Sequence, residues 1–360
     1  MHAVLVAGAR PNFMKIKPVL DALEARGATT VLVHTGQHYD IAMSDVFFDE
    51  LGIRPPDHAL GVGSGSHAEQ TARVMTAFEP LLVQLHPDVV VVVGDVNSTM
   101  ACTLVAAKAV VPVAHVEAGL RSRDWTMPEE VNRVVTDRLS SYLLAPSQDA
   151  VENLLAEGEP AEEIHLVGNV MVDTLLSNLE LARARPVLEQ FGLSSGGYGL
   201  VTLHRPATVD DAAVLSRVLE ALIRLAEECP LVFPVHPRTR AQLAGRALPD
   251  TLLLTDPLGY LDFIALEASA GVVLTDSGGI QEETTVLGVP CLTLRDNTER
   301  PITITEGTNQ LVGRDPDRIL QEARRVLRHG VTVRKPDLWD GRAGLRIAEA
   351  LVGGRPATAP

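Results

Sequence analysis

The sequence predicts an α/β fold made of two doubly wound, Rossmann-like domains with a cleft between them. Short β-branched runs alternate with longer helical patterns along the whole chain. The predicted strands are apolar on both faces, which is typical of parallel sheets covered by helices on both sides. The pattern also restarts midway, and a chain of 360 residues is long for a single core. These three observations together indicate two domains of the same class.

The first series of predicted strands defines an N-terminal domain over residues 1–170. Its strands read AVLVA, TVLVHT, VVVVVG, VPVAHVEAG, YLLAPS and IHLVGN, over 3–7, 30–35, 89–94, 111–119, 142–147 and 164–169. Helical patterns separate them, for instance over 12–26 and 97–108. Polar residues that follow such strands are expected to gather at the carboxyl edge of the sheet, where ligands bind in this fold.

The second series defines a C-terminal domain over residues 171–360. Its strands read GLVTLH, LVFPVH, TLLLTDP, GVVLTDS and VPCLTL, over 199–204, 231–236, 251–257, 271–277 and 289–294. A junction rich in glycine and serine, with Pro186, lies between the two series. The last helix of the chain could pack back on the N-terminal domain.

Bulk composition disfavours several classes of function. A formal net charge of -15 argues against a nucleic-acid or membrane-surface protein. The three cysteines are far apart, which argues against a disulfide framework or a zinc site. His34 and His38 straddle a strand end and a loop, so no metal site is predicted. The N-terminus lacks a signal-peptide pattern or an apolar stretch of membrane-spanning length, so a cytoplasmic protein is expected.

The stretch TDSGGIQEE, residues 275–283, predicts an anion site. A strand leads into Ser277, Gly278 and Gly279, which open a helix whose bare N-terminus can bind phosphate. Ser277 is expected to cap that helix. Glu282 is interpreted as favourable charge in the first turn of the same helix.

Charged residues follow other predicted strands. Arg10 and Lys15 lie in GARPNFMK, which lacks the glycines of a dinucleotide-binding turn and suits a phosphate better. Asp95 follows an apolar strand, and because Asn97 could cap the next helix, Asp95 is predicted to be an active-site carboxylate. His204 ends a strand beside an arginine and could grip a diphosphate.

A third group of carboxylates lies in AHVEAGLRSRDWTMPEEVNR. Glu117 follows an apolar strand, and Glu129 and Glu130 lie near the start of the next helix. Carboxylates that meet in one site are suited to acid/base chemistry. For one of Glu129 and Glu130 the alternative is simply favourable charge at a helix N-terminus.

Taken together, these motifs resemble the non-hydrolysing UDP-N-acetylglucosamine 2-epimerase family. The resemblance covers nearly the whole chain, through GARPNFMKIKP, HTGQHYD, GDVNSTMA, HVEAGLRS, MPEEVNR, PVHPRT, DSGGIQEE, DNTERP and WDGRAGLRI. It implies a glycosyltransferase-B-type fold, a homodimer, and no cofactor or metal. It also implies interconversion of UDP-GlcNAc and UDP-ManNAc, by elimination of UDP to a 2-acetamidoglucal and its re-addition, for surface polysaccharide.

The resemblance further implies a role for each matching residue. The implied catalytic residues are Asp95, Glu117, Glu129 and His204. The three carboxylates lie in the N-terminal domain and are implied to act as acids and bases. The implied substrate-binding residues are Arg10, Lys15, Phe263, Ser277, Gly278, Gly279, Glu283 and Arg300. Within that set, Glu283 is expected to accept the ribose hydroxyls and Phe263 to lie near the uracil.

The chain departs from the family pattern at three positions. Asn12 stands where many members have glutamate, and Pro206 stands where a second arginine is common. Four residues match the pattern of a regulatory UDP-GlcNAc pocket: Gln37, Arg73, Arg205 and His236. Because Asp40 and Pro206 replace the usual residues of that pocket, we expect allosteric activation by UDP-GlcNAc to be altered or absent.

Three alternatives stay open at this point. A 2-epimerase of a modified UDP-sugar, such as a UDP-diacetamido uronic acid, would use the same diphosphate site with a different sugar pocket. A glycosyltransferase of the same architecture would transfer the sugar to an acceptor. A non-catalytic nucleotide-sugar sensor would bind UDP-GlcNAc without exchange at C2.

Overall fold

A computed structural model of the chain describes residues 1–36, 50–235, 237–243 and 245–353. The chain divides into two compact units by internal packing. Unit 1 is Met1–Ser177 with Asp337–Pro360, and unit 2 is Asn178–Pro336. In the described ranges no helix has both the length and the apolar character needed to cross a membrane. The division of the chain into functional domains over 1–170 and 171–360 stays a prediction.

Unit 1 contains a parallel sheet. Its strands, within the described residues, are β1 (His2–Ala7), β2 (Thr29–His34), β3 (His58–Ala59), β4 (Val89–Val93), β5 (Val113–Val116), β6 (Tyr142–Ala145) and β7 (Ile164–Leu166). Their spatial order is β3-β2-β1-β4-β5-β6-β7, and all neighbours are parallel. Every residue of β4 is buried, as expected for a central strand covered on both faces.

Helices follow most strands of unit 1. They are α1 (Arg10–Ala25), α2 (His67–Leu85), α3 (Asn97–Lys108), α4 (Pro128–Arg138), α5 (Gln148–Ala156) and α6 (Val170–Arg183). A capping box starts α2, because the Glu69 N–H donates to Ser66 Oγ at 3.3 Å and the Ser66 N–H to Glu69 Oε2 at 3.1 Å. The boundary between the two units falls within α6.

Unit 2 contains a second parallel sheet. Its strands are β8 (Gly199–Thr202), β9 (Leu231–Pro234), β10 (Leu252–Thr255), β11 (Val272–Thr275), β12 (Cys291–Thr293) and β13 (Asn309–Leu311). Their order across the described sheet is β10-β9-β8-β11-β12-β13. Its helices are α7 (Val187–Gln190), α8 (Pro206–Val209), α9 (Ala212–Ala226), α10 (Pro237–Leu243), α11 (Tyr260–Ser269), α12 (Gly278–Leu287), α13 (Ile302–Thr305) and α14 (Pro316–His329).

The chain then returns to unit 1. The side chain of Trp339 is fully buried and donates to the Pro146 carbonyl at 3.0 Å. Helix α15 (Ala343–Gly353) packs on α1. Asp173 accepts the Gly344 N–H at 2.8 Å, which anchors the start of α15. The C-terminal helix is therefore part of the first unit's core.

The two sheets share one topology, which confirms the predicted fold class of two doubly wound Rossmann-like units. In each sheet the strand order reverses once, between β1 and β4 in unit 1 and between β8 and β11 in unit 2. Ligands of this fold bind at such reversals, at the carboxyl ends of the strands. The sequence analysis missed β3 and β13, because their residues, HA and NQL, form no apolar run.

All three cysteines are buried and carry free thiols: Cys102, Cys229 and Cys291. Each of them packs as a small apolar residue.

Candidate active site

Asn12 fixes the turn at the reversal of unit 1. The buried Asn12 side chain accepts the Ala9 N–H at 2.8 Å and donates to the Val93 carbonyl at 3.2 Å. The turn after β1 is therefore tied to the last residue of β4. An amide can make both contacts because it carries a donor and an acceptor, which an ionised glutamate does not. Arg10 begins α1, and its side chain lies outside the described part of the structure.

Glu117 has the most unusual environment in unit 1. Its backbone is left-handed, with φ of +73°, a conformation that costs energy for a residue with a side chain. Its buried carboxylate contacts Lys15 Nζ through Oε2 at 2.5 Å. Its other oxygen, Oε1, is buried without a hydrogen-bond partner among the described residues. Strained backbone and an unsatisfied buried acceptor are features of functional positions.

Asp95 is held by α4. Arg133 forms an ion pair with the half-exposed Asp95 carboxylate, and Asn132 Nδ2 donates to the Asp95 carbonyl at 2.9 Å. The buried Arg133 also contacts Glu130 Oε2 at 2.7 Å. Asp95 thus follows β4 as predicted, and residues 132 and 133, which the sequence analysis did not single out, set its position.

Of the two glutamates at the start of α4, Glu130 is the structural one. It is buried and accepts the backbone N–H groups of Ser122 at 2.9 Å and Arg123 at 2.8 Å. Burial raises the pKa of Glu130, but the hydrogen bonds from Ser122, Arg123 and Arg133 outweigh burial and hold that pKa below its usual range. Glu129 is half-buried in the first turn, and its side chain makes no hydrogen bond or ion pair with the described residues.

A buried histidine on β5 braces the same edge of the sheet. His115 Nδ1 lies 2.5 Å from Asp137 Oδ1, and His115 Nε2 lies 2.9 Å from the Gly94 carbonyl. The two ring nitrogens therefore connect β5 to α4 and to the residue that follows β4. Burial raises the pKa of Asp137, but contacts with His115 and Arg121 outweigh burial and hold that pKa below its usual range.

The sequence analysis did not find this brace. His115 is only two residues before Glu117, but an alternating strand places one histidine among apolar residues, which by itself indicates packing. The pairing with Asp137 crosses from β5 to α4 and leaves no local sequence signal. Its consequence is that Gly94, directly before Asp95, is held by a buried histidine that is itself held by Asp137.

In unit 2 the reversal carries the predicted anion site. Ser277 occupies the N-cap position of α12 in extended backbone, but its side chain makes no capping hydrogen bond. The predicted cap is therefore wrong. The Ser277 N–H instead donates to Thr275 Oγ1 at 2.9 Å, and the first amides of α12 are left without a serine acceptor. An anion could take that place.

The two glycines at the start of α12 face different surroundings. A Cβ on Gly278 would lie 2.7 Å from Glu299 Oε1 and 2.9 Å from Arg300 Nη1. A Cβ on Gly279 would meet no atom within 4 Å. Gly278 thus lets an arginine approach the helix start, whereas Gly279 leaves open space in front of it.

Arg300 is held beside the helix start by two buried acids. Its Nε lies 2.6 Å from Glu282 Oε1, and its Nη1 donates to Glu299 Oε1 at 3.0 Å. The interpretation of Glu282 as first-turn charge is wrong, because Glu282 lies beyond the first turn and is buried against Arg300. Arg205 Nη2 donates to the same Glu299 oxygen at 3.1 Å.

His204 follows β8 with its side chain 58% exposed, so it is open to a ligand. The fully buried Asp276 accepts the backbone N–H of His204 at 3.1 Å and of Arg205 at 3.0 Å, and its Oδ1 lies 3.0 Å from His204 Nδ1. Burial raises the pKa of Asp276, but these contacts, with the His204 side chain first, outweigh it and lower that pKa. Asp276 is a positioning residue that the sequence analysis missed, although it adjoins Ser277.

A pair of facing helices carries the residues expected to bind a nucleoside. On α11 lie Tyr260 and the half-buried Phe263, and the Tyr260 hydroxyl donates to Glu283 Oε1 on α12 at 3.2 Å. Burial, followed by the charge of Glu282, raises the pKa of Glu283 to about 7, although the Tyr260 hydrogen bond opposes this.

The predicted regulatory residues are only partly described. Arg73 on α2 is half-exposed and donates to the carbonyls of Val62 at 3.3 Å and Ser64 at 3.2 Å. Gln37, Asp40 and His236 lie outside the described residues, as does the side chain of Pro206. Over the described ranges no group of three histidine, cysteine, aspartate or glutamate side chains could hold a metal ion.

Comparison with known proteins agrees with this architecture, which is typical of nucleotide-binding enzymes. The sequence model of a family described as UDP-N-acetylglucosamine 2-epimerase matches residues 21–352. A UDP-N-acetylglucosamine 2-epimerase of Methanocaldococcus jannaschii is 42% identical over 99% of this chain and 100% of that protein. The chain belongs to the UDP-N-acetylglucosamine 2-epimerase family.

One solved structure and one further relative bear on the site. A crystal structure of the Methanocaldococcus jannaschii UDP-GlcNAc 2-epimerase in complex with UDP-GlcNAc and UDP superimposes with a TM-score of 0.89 at 40% identity, and covers 98% of this chain and 100% of that chain. A UDP-2,3-diacetamido-2,3-dideoxy-D-glucuronate 2-epimerase of Pseudomonas aeruginosa is also 42% identical, over 98% of this chain and 99% of that protein. The chain is therefore equally similar to epimerases of two different UDP-sugars.

Proposed function

We propose that this protein is an isomerase that interconverts UDP-GlcNAc and UDP-ManNAc by inverting the configuration at C2. Family membership and a solved relative that binds UDP-GlcNAc and UDP support this proposal. The observation in this chain that carries it is Glu117. Its buried carboxylate has one oxygen on Lys15 and the other unsatisfied, and a strained backbone holds it in that position.

The reaction has two halves. A carboxylate takes the C2 proton while the C1–O bond breaks, UDP leaves with the bonding electrons, and a C1–C2 double bond forms. UDP then attacks C1 again while C2 receives a proton on its opposite face. The difficulty is the weak acidity of the C2 proton and the charge on the leaving diphosphate, so the reaction requires a positioned base and cations.

In unit 1 we assign the acid/base steps to Asp95, Glu117 and Glu129. Asp95 and Glu117 are each held by a cation and a constrained backbone, which keeps the reacting geometry. Glu129 has no partner among the described residues that would hold it away from a sugar. We assign Lys15, together with Arg10, to the charge of the diphosphate.

In unit 2 we assign nucleotide binding to the start of α12 and to α11. The amides after Ser277 and the open space at Gly279 suit a phosphate. Arg300 contributes positive charge, and the exposed His204 faces solvent, where it can reach the diphosphate. Glu283 is assigned to the ribose hydroxyls, and the half-buried ring of Phe263 to the uracil.

Incubation with UDP-GlcNAc in D2O tests the proposal. We expect deuterium at C2 of both sugars and the appearance of UDP-ManNAc. Sugar transferred to an added acceptor, or binding of UDP-GlcNAc without exchange, would instead support a glycosyltransferase or a sensor. Free ManNAc and UDP as the main products would contradict retention of the glycal by the enzyme.

A second candidate is C2 epimerisation of a UDP-diacetamido uronic acid. The Pseudomonas aeruginosa relative, at the same identity as the archaeal one, favours it. The two sugars differ at C3 and C6, so the nucleotide site would be the same. Exchange at C2 measured with both substrates, at equal enzyme, ranks them by kcat/KM.

We also expect a homodimer in the cytoplasm that needs neither cofactor nor metal and supplies ManNAc-type sugars for surface polysaccharide. Light scattering coupled to size exclusion measures the oligomeric state. Activity that survives dialysis against a chelator would support the absence of a metal requirement, and activity restored by an added divalent ion would contradict it.

A further inference from the structure

Glu267 is a fully buried carboxyl group on α11 that none of the assignments above uses. Its side chain has no solvent exposure, and neither carboxyl oxygen has a hydrogen-bond donor among the described residues. A buried ionised carboxylate in that position would be very unfavourable. The group is therefore stable only if it carries a proton.

The groups that face Glu267 are themselves acidic or neutral. Glu283 approaches it from α12, Tyr260 lies on the same helix, and the buried thiol of Cys291 lies on β12. Glu282, the other acid near Glu283, is paired with Arg300. Among the described residues no cation faces Glu267, so the contact between Glu267 and Glu283 is a hydrogen bond only when one of the two carboxyls is protonated.

The proton belongs on Glu267. Burial, and then the neighbouring Glu283, raises the pKa of Glu267 well above its ordinary value. The pKa of Glu283 is about 7, because burial and Glu282 raise it while the hydrogen bonds from Tyr260 and Glu267 lower it. Above about pH 7 the pair therefore shares one proton, carried by the residue with no other partner.

We propose that Glu267, as a neutral carboxylic acid, donates a hydrogen bond to the Glu283 carboxylate and is a positioning residue for recognition of the ribose diol. This inference rests on the proposed role of Glu283 in binding the ribose. With Tyr260 donating to one oxygen and Glu267 to the carboxylate, the orientation of Glu283 is fixed, and its remaining lone pairs are available to two hydroxyl groups.

The test is a comparison of Glu267→Met with Glu267→Gln. Methionine has a similar length but no donor, whereas the glutamine amide keeps an N–H toward Glu283. UDP affinity is measured by calorimetry for both variants and the wild type, and again with 2′,3′-dideoxy-UDP. We expect Glu267→Met to weaken UDP binding about tenfold near pH 7, as for loss of a hydrogen bond to a charged group. We expect Glu267→Gln to bind UDP as the wild type does.

The pH dependence has a defined sign. Loss of the Glu267 donor raises the pKa of Glu283 above about 7, so less of it is ionised at neutral pH. The difference between Glu267→Met and wild type is therefore expected to narrow toward about pH 9, where Glu283 ionises in both. With 2′,3′-dideoxy-UDP, which lacks the diol, the difference is expected to disappear.

Equal UDP affinity of Glu267→Met and wild type at every pH would overturn the inference. If Glu267 had a purely structural role, Glu267→Met would change the unfolding midpoint and leave UDP affinity unchanged. We expect Glu267→Met to be at least as stable as the wild type, because the substitution removes a buried acid. UDP affinity is measured without turnover. Absence of C2 exchange in the wild type would therefore reject the proposed reaction without affecting the comparison of UDP affinities between the Glu267 variants. Equal wild-type affinity for UDP and the dideoxy analogue would reject the role of Glu283, and this inference with it.

Discussion

The reversals of the two sheets have the same topology but opposite arrangements of charge. In unit 1 two carboxylates follow β4 and β5; Arg133 pairs with the first, Asp95, and Lys15 with the second, Glu117. In unit 2 Asp276 directly follows β11, but it is fully buried against His204 and Arg205. The next residues, Ser277, Gly278 and Gly279, offer backbone N–H groups, and Arg300 is held beside them by buried acids. The fold provides the position, and the few residues that follow each strand decide whether that position suits acid/base chemistry or anion binding.

Glu117→Gln is the strongest test of the first half of this comparison. Removing an acid/base group is expected to lower kcat by about a hundredfold to ten-thousandfold. UDP affinity is expected to change much less, since most of the nucleotide contacts are assigned to unit 2 and Lys15, the partner of Glu117, stays in place. The readout is C2 deuterium exchange alongside calorimetry with UDP. Glu152→Gln, an exposed change on α5, is the matched control and is expected to leave both unchanged. Equal losses of UDP affinity and turnover in Glu117→Gln would contradict the assignment of Glu117 to acid/base chemistry.

Asp137→Asn tests how much the contacts of Asp137 stabilise the edge of the sheet that carries Asp95 and Glu117. Asp137 is the buried hydrogen-bond partner of His115 and the buried counter-charge of Arg121, so we expect a loss of about 3–5 kcal/mol in the free energy of unfolding, measured with urea. Asp317→Asn, which breaks an exposed pair with Arg224, is expected to change stability little.

The pH dependence of that stability follows from the pKa of Asp137. This pKa is lowered below the ordinary value of 3.8 in the folded state. The contribution of Asp137 is thus fully present above about pH 4 and is lost as the pH falls through the folded pKa. The stability gap between wild type and Asp137→Asn is expected to narrow in that acid range. A gap that instead closed near neutral pH would contradict the assignment.

Gly278→Ala and Gly279→Ala separate crowding from ligand access at the anion site. A methyl group on Gly278 meets Glu299 and Arg300, so we expect a loss of about 1–3 kcal/mol in stability together with weaker UDP binding. A methyl group on Gly279 enters open space, so we expect weaker UDP binding with no loss of stability. Thermal unfolding and calorimetry measure the two effects. Unchanged UDP affinity in Gly279→Ala would place the phosphate elsewhere.

The smallest expected effect concerns regulation. Because Asp40 and Pro206 replace the usual residues of the family's regulatory pocket, we expect hyperbolic kinetics with a Hill coefficient of about 1. We also expect the reverse reaction to proceed from UDP-ManNAc without added UDP-GlcNAc. Sigmoidal rates, or a strict requirement for UDP-GlcNAc, would show that activation survives these substitutions.

Much of the fold was predictable because strands and helices have local periods. The predicted helix over 97–108 coincides with α3, and the eleven predicted strands were all found, although the predicted strand over 111–119 is only four residues long in the structure. Its last residues turn away from the sheet at Glu117, where φ becomes positive. Neither that backbone reversal nor the short edge strands β3 and β13 has a signal in hydrophobic periodicity.

The candidate site was predictable in its positions but not in its contacts. The residues that follow parallel strands must lie at one edge of a sheet, so Asp95, Glu117 and Ser277 could be chosen from the sequence. Helical spacing could not show that Glu282 and Glu283 are both buried. Glu282 was therefore interpreted as favourable charge in the first turn of the helix, yet it is held by Arg300.

The sequence by itself determined the two doubly wound units, the family and the location of charged residues at the ends of strands, because each is encoded in local patterns and short motifs. Only the tertiary structure decided which charges meet. Lys15 and Glu117 are 102 residues apart, and His115 reaches Asp137 across two elements. Glu267 became a buried acid beside Glu283 only when two helices packed together. Electrostatic energies depend on distance and burial, and neither quantity exists until the chain has folded.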